Sequence, residues 1–397
     1  MDMTRIGTLV TRGLLLCASA VTLNVTAGGY DVAAFVWPAY HPEPRWRELG
    51  IFADGKGEWQ SLYEAEKRKD GDIWGVKPLW GYTDESNPVD VAHKIDAAVS
   101  SGVNVFIYDW YWYEGRPFLQ GALENGFLKA KNNERMKFYI MWANHNVSGI
   151  WNNKLSLANG KRDVIWPSKV SEADYRKIVA HWINTYFCRP NYYKIDGKPV
   201  FMLYLINLFV KWDGEEVAKA RIQYLRDEVK KAGFPGLHLQ VCGDRSIDCS
   251  KFGVESTSVY NWGACGWEQE FVKKRGFEPE YAQVGELVMP WLDTMKAKAE
   301  KMGMTFFPNL SVGWDTNARY VKEDARPIIR NSNPRDFETY ARKIRDWADK
   351  NIPAGMPKLI TVNSWNEWTE GGYLEPDSIF GYGYLDALRK VFVEEVK

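Results

Sequence analysis

The sequence predicts a single (β/α)8 barrel, a TIM-barrel α/β fold of eight parallel strands with long βα loops. Three observations predict it. Eight short apolar runs alternate with longer amphipathic stretches along the 397 residues. The apolar runs are continuous rather than alternating in polarity, as in strands buried on both faces. A barrel core takes about 250 residues, and the surplus here falls into polar, aromatic-rich connections.

The eight runs span 32–36, 103–108, 138–142, 200–204, 237–241, 256–260, 305–310 and 359–362. Helical spacing fills 89–101, where Val91, Ile95 and Val99 share a stripe, and recurs over 173–187, 215–232, 284–301 and 336–350. A last helix over 384–396 aligns Leu385, Leu388 and Phe392. The connections 37–88, 147–169, 244–255, 261–283 and 315–333 hold the extra length. No linker, repeat or low-complexity run divides the chain, so residues 28–397 read as one domain. A doubly wound open sheet is the alternative, but no GxGxxG segment follows the first strand.

Residues 1–27 read as an export signal. Arg5 and Arg12 carry positive charge, residues 13–23 are apolar but too short to span a bilayer, and small residues lead to Ala27. Periplasmic or extracellular export is therefore expected. Lipid anchoring at Cys17 is disfavoured by the bulky Leu16. No other segment is long and apolar enough to cross a membrane. With 51 basic and 51 acidic residues, no basic footprint points to a nucleic-acid partner. Of Cys188, Cys242, Cys249 and Cys265, the pair Cys242–Cys249 closes a short loop and is the expected disulfide in an oxidising compartment. The five histidines are scattered and no cysteine spacing matches zinc, so neither a metal nor a cofactor is expected. The oligomeric state is not legible.

Active sites of such barrels gather at the C-terminal ends of the strands. Polar and aromatic residues follow nearly every apolar run here. The first ends in Trp37, Tyr40 and His41; the second in Asp109, Trp110 and Tyr111; the third in Trp142, Asn144 and His145. Tyr204 ends the fourth, Asp244-Arg245 follow the fifth, Tyr260 ends the sixth, and Trp314 and Asp315 follow the seventh. The eighth opens into Trp365-Asn366-Glu367-Trp368-Thr369-Glu370. Each has a structural reading as well: Asp315 as a turn cap, the asparagines as turn residues, His145 as a satisfied local donor.

Paired carboxylates between indoles suit cleavage of a sugar–sugar bond: acids move protons, and aromatic faces stack on pyranose rings. Residues three apart on a helical turn hold their Cβ atoms roughly 5–6 Å apart. Glycosidases that retain configuration hold two carboxyl groups about 5–5.5 Å apart, a spacing that Glu367 and Glu370 can meet. Nineteen tryptophans fit a sugar-binding surface.

Over most of its length the chain resembles the glycoside hydrolase family 99-like proteins, including those labelled WbsX-type glycosyltransferases. The resemblance rests on Tyr40-His41-Pro42, Gly57 to Trp59, Tyr108-Asp109-Trp110-Tyr111, Trp142-Ala143-Asn144, Tyr193 to Tyr204, Gly313-Trp314-Asp315 and, most specifically, Asn366 to Gly371. It implies a barrel that acts on α-linked glycans with retention through a 1,2-anhydro sugar. It also implies Glu367 as the base at the 2-hydroxyl and Glu370 as the acid/base. Thr369 stands where family 99 proper carries histidine, as in the WbsX-like branch, and mannose specificity does not transfer. The expectation is thus a secreted glycoside hydrolase acting on an oligo- or polysaccharide. A WbsX-type glycosyltransferase and a non-catalytic carbohydrate-binding barrel are the alternatives.

Overall fold

The computed structural model describes residues 29–66, 75–152, 154–155, 163–243, 246–320 and 326–395. The expected export signal, Cys17 and the Asp244-Arg245 pair lie outside the described residues. Eight parallel strands form the barrel. They are β1 (Tyr30–Val36), β2 (Val105–Tyr113), β3 (Lys137–Trp142), β4 (Lys198–Leu203), β5 (His238–Cys242), β6 (Ser256–Ser258), β7 (two pieces, Thr305–Phe306 and Asn309–Ser311) and β8 (Lys358–Asn363). Neighbours in sequence pair in space, and β8 returns to β1 with Tyr30 opposite Lys358.

The ring closes through the broken strand: the first piece of β7 pairs with β6 and the second with β8. Pro308 makes the break, because it has no N–H to give the ladder. Both neighbours stay attached. Phe307 N–H donates to Thr257 O at 2.9 Å, and Thr361 N–H donates to Pro308 O at 3.0 Å.

Among the described residues the longer helices that pack outside include α1 (Pro88–Ser100), α2 (Glu172–His181, continued by a wide π turn, Trp182–Phe187), α3 (Glu215–Lys231), α4 (Tyr281–Lys301), α5 (Pro334–Asn351) and α6 (Gly383–Arg389). These are the six stretches with helical spacing, within a few residues. Asn87 and Asn333 cap α1 and α5 through their side chains, each followed by proline at the first helical position. The β2–β3 and β5–β6 connections hold short turns, Ala122–Gly126 and Cys249–Phe252 among them, in place of an α-helix.

Side chains alternate between lumen and exterior along each strand. On β2, Asp109 and Tyr111 face the lumen, while Trp110 faces α2 and packs edge-on to Trp182, ring centroids 5.2 Å apart. Inside the barrel Ser258 and Thr361 hydroxyls meet at 2.8 Å. No described helix is long and apolar enough to cross a membrane.

One expectation is corrected. Cys242 and Cys249 are both thiols, not a disulfide. Cys242 is committed to the fully buried end of β5, and Cys249 to the turn that Asp248 caps, where its Sγ donates to Ile247 O at 3.8 Å.

Candidate active site

After β8 the chain folds back. Asn366–Glu367 pairs antiparallel with Gly372–Tyr373 around the 3₁₀ turn Trp368–Glu370. Ser364 Oγ accepts the Glu367 N–H at 2.8 Å and donates to Gly372 O at 2.5 Å, which fixes the hairpin. Gly371 sits at φ 65°, and a Cβ there would lie 2.8 Å from Asp315 N; only glycine fits. The Asp315 N–H in turn donates to Glu370 O at 2.7 Å. Glu367 therefore precedes the turn and Glu370 ends it. Both carboxyl groups line one open cavity of about 410 Å³.

One guanidinium organises the acids. Arg319 donates from Nη1 to Glu370 Oε1 at 2.5 Å and from Nη2 to Glu367 Oε1 at 2.7 Å. Its Nε donates to Glu58 Oε1 at 3.1 Å, and Nη2 also reaches Thr369 Oγ1 at 2.9 Å. Adjacent nitrogens of one rigid fork thus set the spacing of the two glutamates. Glu58 is delivered by Gly57, whose close approach to Ala39 O leaves no room for a Cβ. Glu58 also accepts from Trp37 Nε1 and from Thr369 Oγ1.

Burial pushes Glu367 well above the usual carboxylate range. The adjacent Glu370 adds to this, and Arg319 opposes it. Glu370 is raised as well, by burial first, again against Arg319. Asp109 is likewise held high by burial, which favours its neutral form. The Tyr260 hydroxyl lies 3.3 Å from Asp109 Oδ2 and 3.2 Å from Glu367 Oε2, so its one proton serves one acid at a time. Burial lowers His145, keeping it neutral.

A second charged network grips the hairpin from behind. Lys94 on α1 is buried and reaches Glu85 at 3.0 Å and Glu375 at 2.6 Å. Glu85 accepts from Asn366 Nδ2 at 2.6 Å, and Glu375 accepts from Trp368 Nε1 at 2.8 Å. Asn366 also brackets the Trp37 backbone, accepting its N–H and donating to its O, both at 2.8 Å. Both sequence neighbours of Glu367 are thereby tied to one buried ammonium.

The cavity gathers Trp37, Asp109, Tyr111, His145, Tyr204, Tyr260, Trp314, Glu367 and Glu370 from the expected residues. The others stand elsewhere. Trp110 and Trp142 pack against α2 at Trp182, and Trp365 packs on Phe106. Asn144 ties down Leu205 through both its N–H and O. Tyr40 accepts from the Trp368 N–H at 3.1 Å, and His41 lies against Gly121. Asp315 caps the Asn317 N–H at 2.9 Å and, with Trp368, lines a neighbouring cavity. Arg319, Glu58, Trp151 and Arg326 are site residues that the reading of strand ends missed. The signal for Arg319 was electrostatic: buried carboxylates need a cation, and Arg319 follows the β7 motif closely. Among the described residues no group of three or more His, Cys, Asp or Glu is arranged to hold a metal ion.

The sequence model of the family described as "Glycosyltransferase WbsX" matches residues 32–388. A curated relative from Xanthomonas campestris pv. campestris, "Uncharacterized protein WxcX", is 23% identical over 363 residues, covering 90% of this chain and 49% of that protein. The chain thus spans about half the length of the curated relatives it matches. Among solved structures, a "Glycoside hydrolase-like protein" superposes with a TM-score of 0.58 at 15% identity, covering 95% of this chain and 98% of the other. The GH99 endo-alpha-mannosidase from Bacteroides thetaiotaomicron, in complex with Bis-Tris-propane, gives 0.53 at 14% identity, covering 92% and 97%. These likenesses show the barrel fold.

Proposed function

We propose, from the premise that the chain belongs to the WbsX family, that it is a glycoside hydrolase cleaving α-linked glycans with Glu367 and Glu370. The observation that carries the reading is the pair of raised, buried glutamates held on adjacent nitrogens of Arg319 in an open, aromatic-walled cavity. Glu367 takes the proton of the sugar's 2-hydroxyl, and that oxygen attacks the anomeric carbon. The bond to the leaving oxygen breaks as Glu370 gives it a proton. Water, deprotonated by Glu370, then opens the 1,2-anhydro ring, and the 2-oxygen recovers its proton from Glu367. Two inversions give retention. The raised proton affinity of both acids suits groups that exchange protons with the substrate. We further propose export of residues 28–397 as the working domain; the N-terminus of the purified mature protein, read by mass spectrometry, checks it.

The test is Glu370→Gln against a panel of α-linked polysaccharides, with reducing ends counted. A fall of about 10²–10⁴-fold at unchanged circular dichroism is expected; full activity overturns the assignment. The family's description favours one second reading, transfer from an activated donor. Nucleotide release from nucleotide sugars, without hydrolysis of any glycan, would establish it instead.

A further inference from the structure

A second cavity of about 410 Å³ adjoins the catalytic one, and Trp314 lines both. Its wall includes Trp368, whose ring stacks on Tyr373 with centroids 3.8 Å apart. Tyr63 and Tyr82 also line it, 40% and 36% exposed and edge-to-face at 5.3 Å. Asp315, Asn331 and Ser332 add short polar side chains to the lining. Aromatic planes left open to solvent beside short polar groups match the alternation of C–H faces and hydroxyl edges on a pyranose. Lys77 and Arg330 also line it, and carboxylate, amide and hydroxyl oxygens can each accept more than one hydrogen bond, so the wall suits a ligand rich in hydroxyl groups.

We propose that this second cavity binds further pyranose units of an oligosaccharide whose other end occupies the catalytic cavity, the glycan passing along Trp314. The ligand class rests on the glycan-cleaving reading; the cavity itself does not. The two cavities are also tied mechanically. Asp315 lines the second, and its N–H holds the Glu370 carbonyl in the first at 2.7 Å. A sugar bearing on Asp315 therefore steadies Glu370.

The experiment compares the full chain with a Tyr63→Ala/Tyr82→Ala double variant, both surface changes away from the catalytic acids. α-Linked polysaccharides embedded in native gels report binding, and calorimetry with a disaccharide and a hexasaccharide of the retarding glycan reports length dependence. Hexasaccharide affinity about tenfold weaker in the variant, with disaccharide affinity unchanged, is the expected result. Equal hexasaccharide affinity in both proteins overturns the proposal, as does a wild type that no glycan of the panel retards. Reducing-end release by the wild type is scored separately. Hydrolysis without the length effect sinks only the second site. Length-dependent binding without hydrolysis sinks the hydrolase reading and leaves the site standing.

Discussion

Replacing Arg319 with methionine removes the cation that touches Glu58, Glu367 and Glu370 while keeping most of the side-chain volume. The guanidinium is 11% exposed, and the three carboxylates are 2%, 3% and 15% exposed. Breaking a buried ion pair from one side costs about 3–5 kcal/mol, because the remaining charge stays uncompensated. In a chain of this length that is about 4–6 °C of melting temperature. The loss depends on pH, and its sign follows from linkage. Glu367 and Glu370 already sit above their unfolded values, so their contribution to stability is whole below the ordinary carboxylate range and fades as pH rises through the folded values. Arg319 is the cause that lowers both. Without it they climb further, and the native state holds protons that the unfolded chain gives up. Each such proton steepens the fall by about 1.4 kcal/mol per pH unit. Calorimetric scans of wild type and Arg319→Met from pH 4.5 to 8 should show a gap that is smallest in acid and widens with pH. A constant gap, or one that widens toward acid, would refute the claim that this guanidinium compensates the buried acids.

Lys94→Met leaves Glu85 and Glu375 buried together, a loss of about 3–5 kcal/mol in urea unfolding. Glu85, already pushed up to about 7 by burial and lowered most by Lys94, rises further, so the loss should be greater at pH 8 than at pH 6. Asp109→Asn should behave oppositely: the raised carboxyl costs the wild type stability as pH rises, asparagine cannot ionise, and the variant's relative melting temperature should climb between pH 6 and pH 9. Gly371→Ala combines a left-handed φ with a 2.8 Å approach to Asp315 N and should lose more than the roughly 1–2 kcal/mol of φ strain alone. Gly55→Ala, at φ 77° with open space around its Cβ, should lose only the strain.

The barrel was legible because strands buried on both faces leave unbroken apolar runs, and α1 and α5 announce themselves with Asn-Pro starts. The broken β7 was written at Pro308, yet the run across 305–310 reads as one strand unless the missing N–H is given weight. The site was legible where a residue's chemistry and its strand register agree. Asp109 and Tyr111 face the lumen, and their neighbour Trp110 does not. Asn144 and Asn366 look like ligand groups from their place after strands, but they spend their amides on loop backbones. Arg319 was hidden because it lies several residues past β7, in a polar connection with no periodicity, where only the demand of three distant acids singles it out.

The interruption at Pro308 bears on how the catalytic centre is suspended. The strand that shuts the cylinder is its least continuous stave, and the segment carrying Arg319 leaves from the end of that stave. Loosening there would slacken the grip on Glu58, Glu367 and Glu370. The proton balance of the centre is therefore wired to the hoop that keeps the cylinder shut.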